Sequence, residues 1–169
     1  MPPIEHISSI HDIDFAAWHR DHGIDVVLFD VEGTLTEWSS RQIPDATIRC
    51  LEQARVDGIR HIGLVTNISP RKAKRVASLA RQISADTYRY PTSLGVRKPS
   101  GAMIRDSLGE LGVTPEHCAF VGDKIVDCLA GRNAHVARIA WVERNGTADH
   151  WFDRLVYRPI ERLVRKALH

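Results

Sequence analysis

The sequence is short of cysteine, and the three it has, Cys50, Cys118 and Cys128, form no Cys-x-x-Cys pair. An odd count without close spacing excludes a disulfide framework and a thiolate zinc site, leaving free thiols in a reducing compartment as the expectation. Long hydrophobic runs are missing too: no uninterrupted apolar stretch approaches the roughly 18 residues that a membrane span needs. The first 23 residues carry Glu5, Asp12 and Asp14 and lack the basic start and apolar centre of an export signal. The expected location is therefore cytoplasmic. Neither sign of charge dominates. With 23 Lys and Arg against 21 Asp and Glu, the net charge of +2 is too small for a nucleic-acid surface, and no zinc-finger spacing or aromatic-basic stretch supports one. The histidines, among them His61, His117 and His135, have no metal-ligand spacing and receive no role.

What is present is a globular balance, 43% hydrophobic and 26% charged over 169 residues, enough to bury a core without metal or disulfide staples. Residues 1–169 are read as one domain. An Asp N-cap and a glycine stop predict a helix over about 14–22, leading into the apolar run Val26-Val27-Leu28-Phe29, which reads as a parallel strand covered on both faces. A one-sided apolar pattern predicts a helix from Asp45 to Val56, a strand follows at Ile62 to Val65, and Ser69-Pro70 opens a helix through Gln82. The basic face of that helix, Arg71, Lys72, Lys74 and Arg75, is expected to be solvated. Asp86 to Tyr90 reads as a short strand, Pro99 to Leu111 as a helix stopped by Gly112, and Cys118 to Val121 as a strand ending in Gly122-Asp123. A helix from Lys124 to about Arg132 and a strand from Val136 to Val142 complete the series. The alternation predicts an α/β fold, a doubly wound, Rossmann-like parallel sheet of about five strands, with no stretch long enough for a cap domain.

In open parallel sheets, ligands sit beyond the carboxyl ends of the strands at the switch point. The residues at those ends are Asp30, Thr66 and Asp123, with Lys98 and Asp127 close by in sequence, a set of acids, a hydroxyl and a cation suited to phosphate and a divalent metal. Asp30-Val31-Glu32-Gly33-Thr34-Leu35-Thr36 resembles the nucleophile motif of the haloacid-dehalogenase-like superfamily of phosphatases. Three more motifs follow in order: Leu64-Val65-Thr66-Asn67 is similar to the second, Lys98-Pro99 to the third, and Val121-Gly122-Asp123-Lys124-Ile125-Val126-Asp127 to the acidic fourth. The resemblance covers nearly the whole chain.

It implies an enzyme that hydrolyses a phosphate monoester, with Asp30 as the nucleophile forming an aspartyl-phosphate. It also implies Glu32 as the acid and base, Thr66, Asn67 and Lys98 around the phosphoryl group, and Mg2+ held among Asp30, Glu32, Asp123 and Asp127. Asp127 has a second reading, as the residue that positions Lys98. The usual motif carries Asp where this chain has Glu32, whose extra methylene moves the carboxyl by roughly an ångström. The enolase-phosphatase branch also carries Asp-x-Glu-Gly-Thr, so an active phosphatase is expected, and a phosphate-binding or scaffold protein without turnover is the alternative. The missing cap resembles subfamily IIIA. Ser9 to Asp14 and the basic tail are similar to the phosphatidylglycerophosphate phosphatase branch, while the Asp123 to Asp127 spacing is nearer to histidinol-phosphate and heptose-bisphosphate phosphatases.

From Trp151 onward, Phe152, Leu155, Val156, Ile160, Leu163, Val164 and Leu168 recur at helical spacing with Arg154, Arg158, Arg162, Arg165 and Lys166 between them. This predicts a basic amphipathic helix over about 149–168, interrupted at Pro159. Two placements are open: packing on the sheet or on a second copy of the chain, as most apolar stripes do, and peripheral contact with an anionic membrane. The substrate is correspondingly open between a phospholipid and a phosphorylated small molecule, such as a sugar or other metabolite phosphate.

Overall fold

The structure, a computed structural model, describes residues 2–143, so the helix expected at 149–168 lies outside the described residues. In chain order the elements are β1 (Ile4–Ile7), α1 (Phe15–His22), β2 (Val26–Phe29), α2 (Asp45–Val56), β3 (His61–Val65), α3 (Ala73–Gln82), β4 (Thr87–Arg89), α4 (Ala102–Leu111), β5 (Cys118–Gly122), α5 (Ile125–Asn133) and β6 (Arg138–Val142). The strands form one sheet in the order β1-β6-β5-β2-β3-β4, and every pairing is parallel.

β2 is buried along its whole length because both of its faces are covered. Alternation along the strand divides the core. Val27 and Phe29 pack with Phe15 and Trp18 of α1, Leu51 of α2 and Val76 and Leu79 of α3. Val26 and Leu28 pack on the other side with Met103, Ile104 and Leu108 of α4 and with Cys128 and Ala130 of α5. Each such side chain contributes about 1.5–3 kcal/mol when fully buried, which holds β2 at the centre of a three-layer stack. The helix ends follow the local chemistry read from the sequence. Asp14 Oδ1 accepts from Ala17 N at 2.8 Å at the start of α1, and Gly23 closes it with φ of +65°.

The sheet has one strand more than the five expected. Among the described residues β1 lies at the edge and pairs with β6 alone, Ile4 against Ile139 through Ile7 against Val142, so its partner is distant in sequence. A four-residue segment with Glu5 and His6 in its middle carries little apolar periodicity of its own. The helix expected from Pro99 begins at Ala102, and Ser69 caps a single 3-10 turn (Pro70–Lys72) that runs into α3.

The pairing register sets the height of the rim. Phe29 is level with Leu64 of β3 and Val121 of β5, so Asp30, Thr66 and Asp123 emerge beside one another at the carboxyl end of the sheet. The chain runs from β2 outward through β3 and β4, then returns to the opposite side of β2 with β5, which makes the gap between β2 and β5 the switch point.

α4 and α5 meet tightly just beyond the segment that carries Lys98. A Cβ added at Gly101 would lie 2.6 Å from Ala134 N and 2.7 Å from Asn133 C, both backbone atoms that cannot rotate away. Gly101→Ala is therefore expected to lower unfolding stability by about 1–3 kcal/mol, measured by urea denaturation of the full chain.

Candidate functional site

Beyond β2 the chain turns sharply rather than continuing the sheet. Leu35 N and Thr36 N both donate to Val31 O, at 3.0 and 3.2 Å, and Gly33 N donates to Thr36 O at 2.8 Å. Gly33 takes a φ of +87°, and the space its missing side chain would fill is held by the Asp123 carboxylate. Gly122 plays the same part for Asp127, whose side chain occupies the place of a Cβ there. Two glycines thus let two carboxylates close in on Asp30.

One oxygen from each of Asp30, Asp123 and Asp127 lies within 4.8 Å of the others, and all three residues are buried. Lys98 enters this group from the segment before α4. Its Nζ stands 2.6 Å from Asp30 Oδ1 and 2.6 Å from Asp127 Oδ1, with a third contact to Val65 O at 3.1 Å. Two of these contacts, to Asp30 Oδ1 and Val65 O, are hydrogen bonds, and the third is an ion pair. Asp127 is fixed from its other oxygen as well, because Oδ2 accepts from Lys124 N at 3.0 Å in the capping box that opens α5.

Burial and charge act against each other within this group. Burial alone would push the Lys98 ammonium down, but the carboxylates of Asp127 and Asp30 reverse this and hold it above the usual lysine range. Burial pushes the Asp127 carboxyl up, Lys98 opposes the rise, and the negative charge of Asp30 adds to it, with the net shift upward. The lysine gains from two anions while Asp127 has to share one cation. Three hard oxygen donors, set in a cradle kept clear by Gly33 and Gly122, fit a divalent cation of the magnesium type.

The remaining predicted residues surround a cavity of about 390 Å3 lined by Asp30, Glu32, Trp38, Thr66, Asn67, Lys98, Lys124 and Asp127. Thr66 is buried at the end of β3, and its Oγ1 accepts from Ile68 N at 3.2 Å. Trp38 stands at the cavity with the Lys124 ammonium 4.8 Å from the centre of its ring. Glu32 lines the same cavity, but its carboxylate is not one of the three in the cluster. It pairs instead with Arg75 Nη1 at 2.6 Å and accepts from Ser39 N at 3.1 Å. The structure thus corrects the expectation of a solvated basic face on α3. Arg71, Lys72 and Lys74 are exposed, whereas the Arg75 side chain is only 11% exposed.

Sequence reasoning missed two supports. The Asn67 side chain brackets the backbone of Lys98, accepting from Lys98 N at 2.9 Å and donating to Lys98 O at 3.1 Å. Nothing in the second motif announces this, since the partner lies 31 residues away. Arg75 had a faint signal: Arg75, Leu79 and Gln82 share one helical stripe, which places a cation at the edge of the apolar face.

The sequence profile of the haloacid dehalogenase-like hydrolases matches residues 37–135, more than half of the 169. The match includes Thr66, Lys98, Asp123 and Asp127 and begins just after Asp30 and Glu32. The probable phosphatase YqeG of Bacillus subtilis is 22% identical over 149 residues, covering 88% of this chain and 81% of that protein. The crystal structure of CbbY from Rhodobacter sphaeroides in complex with phosphate superposes with a TM-score of 0.54 at 17% identity, covering 75% of this chain and 89% of that one. The cobalt-bound deoxy-D-mannose-octulosonate 8-phosphate phosphatase YrbI of Haemophilus influenzae gives a TM-score of 0.51 at 20% identity, over 70% of this chain and 69% of that one. At these identities the two structures establish likeness of fold.

Lys98→Met keeps most of the stem and removes the charge, leaving Asp30 and Asp127 buried opposite one another. A loss of about 3–5 kcal/mol at neutral pH is expected from breaking a buried ion pair, read by denaturant unfolding in chelator-treated buffer. Adding Asp127→Asn to Lys98→Met should recover part of that loss.

Proposed function

This chain belongs to the haloacid dehalogenase-like hydrolase family, and from that premise we propose that it is a metal-dependent phosphatase acting on phosphate monoesters, with Asp30 as the nucleophile. The observation that carries the reading is the clustering of Asp30, Asp123 and Asp127, two of them paired with Lys98, at the rim where β2 and β5 diverge. The phosphate and cobalt bound by the like-folded CbbY and YrbI structures agree with such a site. Asp30, Asp123 and Asp127 would hold a divalent cation, for which we propose Mg2+, and its charge would offset the repulsion between a carboxylate nucleophile and a phosphate dianion.

Lys98 fixes Asp30 by Oδ1 and, among the described residues, Oδ2 accepts no hydrogen bond, so one oxygen is oriented while the other is left for attack on phosphorus. Donating to Asp30 Oδ1 and to Val65 O, Lys98 serves by its charge and by holding Asp30. The Thr66 hydroxyl proton is directed to a non-bridging phosphoryl oxygen, which suits a group whose oxygen already accepts from Ile68 N. Glu32 gives a proton to the leaving oxygen in the first step. In the second it takes one from the water that releases phosphate from Asp30.

The substrate class is a phosphate at the end of a larger molecule. The connection 30–44 between β2 and α2 contains a turn and one isolated bridge between Glu32 and Thr36, with no further domain, which supports the capless subfamily IIIA reading. A phospholipid and a sugar phosphate both satisfy that description. Among the described residues no helix is long and apolar enough to cross a membrane. The scaffold alternative raised by Glu32 has no observation in its favour.

The test is release of phosphate from 4-nitrophenyl phosphate by the full chain in Mg2+. Turnover is expected to disappear on chelation, return with Mg2+, and be lost in Asp30→Asn. Undiminished turnover in Asp30→Asn would sink the assignment of the nucleophile.

A further inference from the structure

We infer that Arg75 is the positioning residue that gives Glu32 its working geometry, holding one carboxylate oxygen and leaving the other for proton transfer. The inference rests on the reading of Glu32 as acid and base given above. Arg75 Nη1 donates to Glu32 Oε1 at 2.6 Å, and Ser39 N donates to the same oxygen at 3.1 Å. Among the described residues Oε2 receives no hydrogen bond. Arg75 Nη2 is buried and, among the described residues, donates to no acceptor, so the guanidinium engages the carboxylate through one nitrogen rather than as a fork that would occupy both oxygens.

This one-sided grip leaves Oε2 as the oxygen that carries and gives up a proton. With the proton on Oε2, Oε1 is a carbonyl oxygen accepting two N–H donors. As the Asp30 oxygen bonds to phosphorus and the bond to the leaving oxygen breaks, the Oε2 proton passes to that oxygen, and the resulting carboxylate faces an arginine that stays charged throughout. In the second step Oε2 takes the proton of the attacking water, phosphate leaves, and the starting state is restored. The grip also answers the length of Glu32. A glutamate has one more rotatable bond than the aspartate usual at this place, and a partly buried ion pair removes that freedom.

The same arginine fixes the loop around Glu32. Arg75 Nε donates to Ser40 O at 2.7 Å, beside Ser39, whose φ of +60° turns its N–H toward Glu32. Gln82, two turns further along α3, holds the far side of this loop through Ile43 N at 2.9 Å and Arg41 O at 3.0 Å. Gln82 makes no contact with Glu32, so it separates bracing of the loop from positioning of the acid.

The test uses the full chain in Mg2+ with a series of aryl phosphates from 2,4-dinitrophenyl to phenyl, comparing kcat/KM, which reports the step that phosphorylates Asp30. A good leaving group needs no proton and a poor one does. Arg75→Ala is expected to lower kcat/KM on phenyl phosphate by on the order of 10- to 100-fold and on the dinitrophenyl ester by less than about threefold. Glu32→Asp, one methylene too short to keep the contact, should behave in the same way. In a Glu32→Gln background Arg75→Ala should add no further loss, and Gln82→Ala should lower thermal stability without changing leaving-group dependence. Arg75→Lys, which keeps the charge but not the two-nitrogen grip on Glu32 and Ser40, should show the same steepening, so the comparison survives if the alanine variant folds poorly. An equal loss across the series, or a loss that persists in the Glu32→Gln background, overturns the inference and leaves the function reading intact. A folded wild-type chain without turnover removes both.

Discussion

One ammonium group paired with two of three clustered, buried carboxylates is the constraint on which the rest of this structure depends. Taking any of these charges out of water is costly, and only mutual neutralisation with good geometry repays it. Lys98 meets that condition for Asp30 and Asp127 with two contacts of 2.6 Å and also donates to Val65 O. Three buried carboxylates clustered at one strand-end rim are more than a structural ion pair needs and offer hard oxygens to a further cation, which is the physical reason to read the site as functional.

Keeping such a group together requires backbone positions accurate to a fraction of an ångström, and the parallel sheet supplies them. Asp30 and Asp123 follow adjacent strands in fixed register, and Asp30 N donates to Val121 O at 2.8 Å, so the two carboxylates cannot drift apart without breaking the ladder. Lys98 lies on no strand. Its place is set by Asn67, which follows β3 and grips the lysine's own backbone from both sides, and by Asn133 Nδ2, which donates to Pro99 O at 2.8 Å. The least regular segment of the site is thereby tied to two of the most regular ones.

The centre of the fold could be read from the sequence because β2, β3 and β5 are continuous apolar runs, and only a strand covered on both faces tolerates that. Asp30, Thr66 and Asp123 followed, since their places at strand ends are local facts. The helix signals at Asp14, Gly23 and Gly112 were equally local. What escaped was held by distance. β1 becomes a strand only through β6, more than 130 residues later. The two readings of Asp127, cation ligand and partner of Lys98, could not be divided by spacing, and the geometry accommodates both, since Asp127 touches Lys98 and belongs to the carboxylate cluster. Arg75 looked like any other member of a basic face because its difference from Arg71, Lys72 and Lys74 lies in what the 37–44 loop places against it.

That loop has little core of its own: Ile43 is buried, while Trp38, Ser39, Arg41 and Gln42 are exposed. Left to itself, such a segment would pay the full entropy of ordering with few apolar contacts in return. Much of its order comes from one helix, since the face of α3 that buries Val76 and Leu79 against the sheet also carries Arg75 and Gln82 along its edge. Core packing fixes the rotation of α3, the rotation aims the two polar side chains at the loop, and the loop closes over Glu32. The position of Glu32 is therefore a consequence of how a helix packs on the sheet, and the precision of the hydrophobic core is passed to a side chain that never enters it.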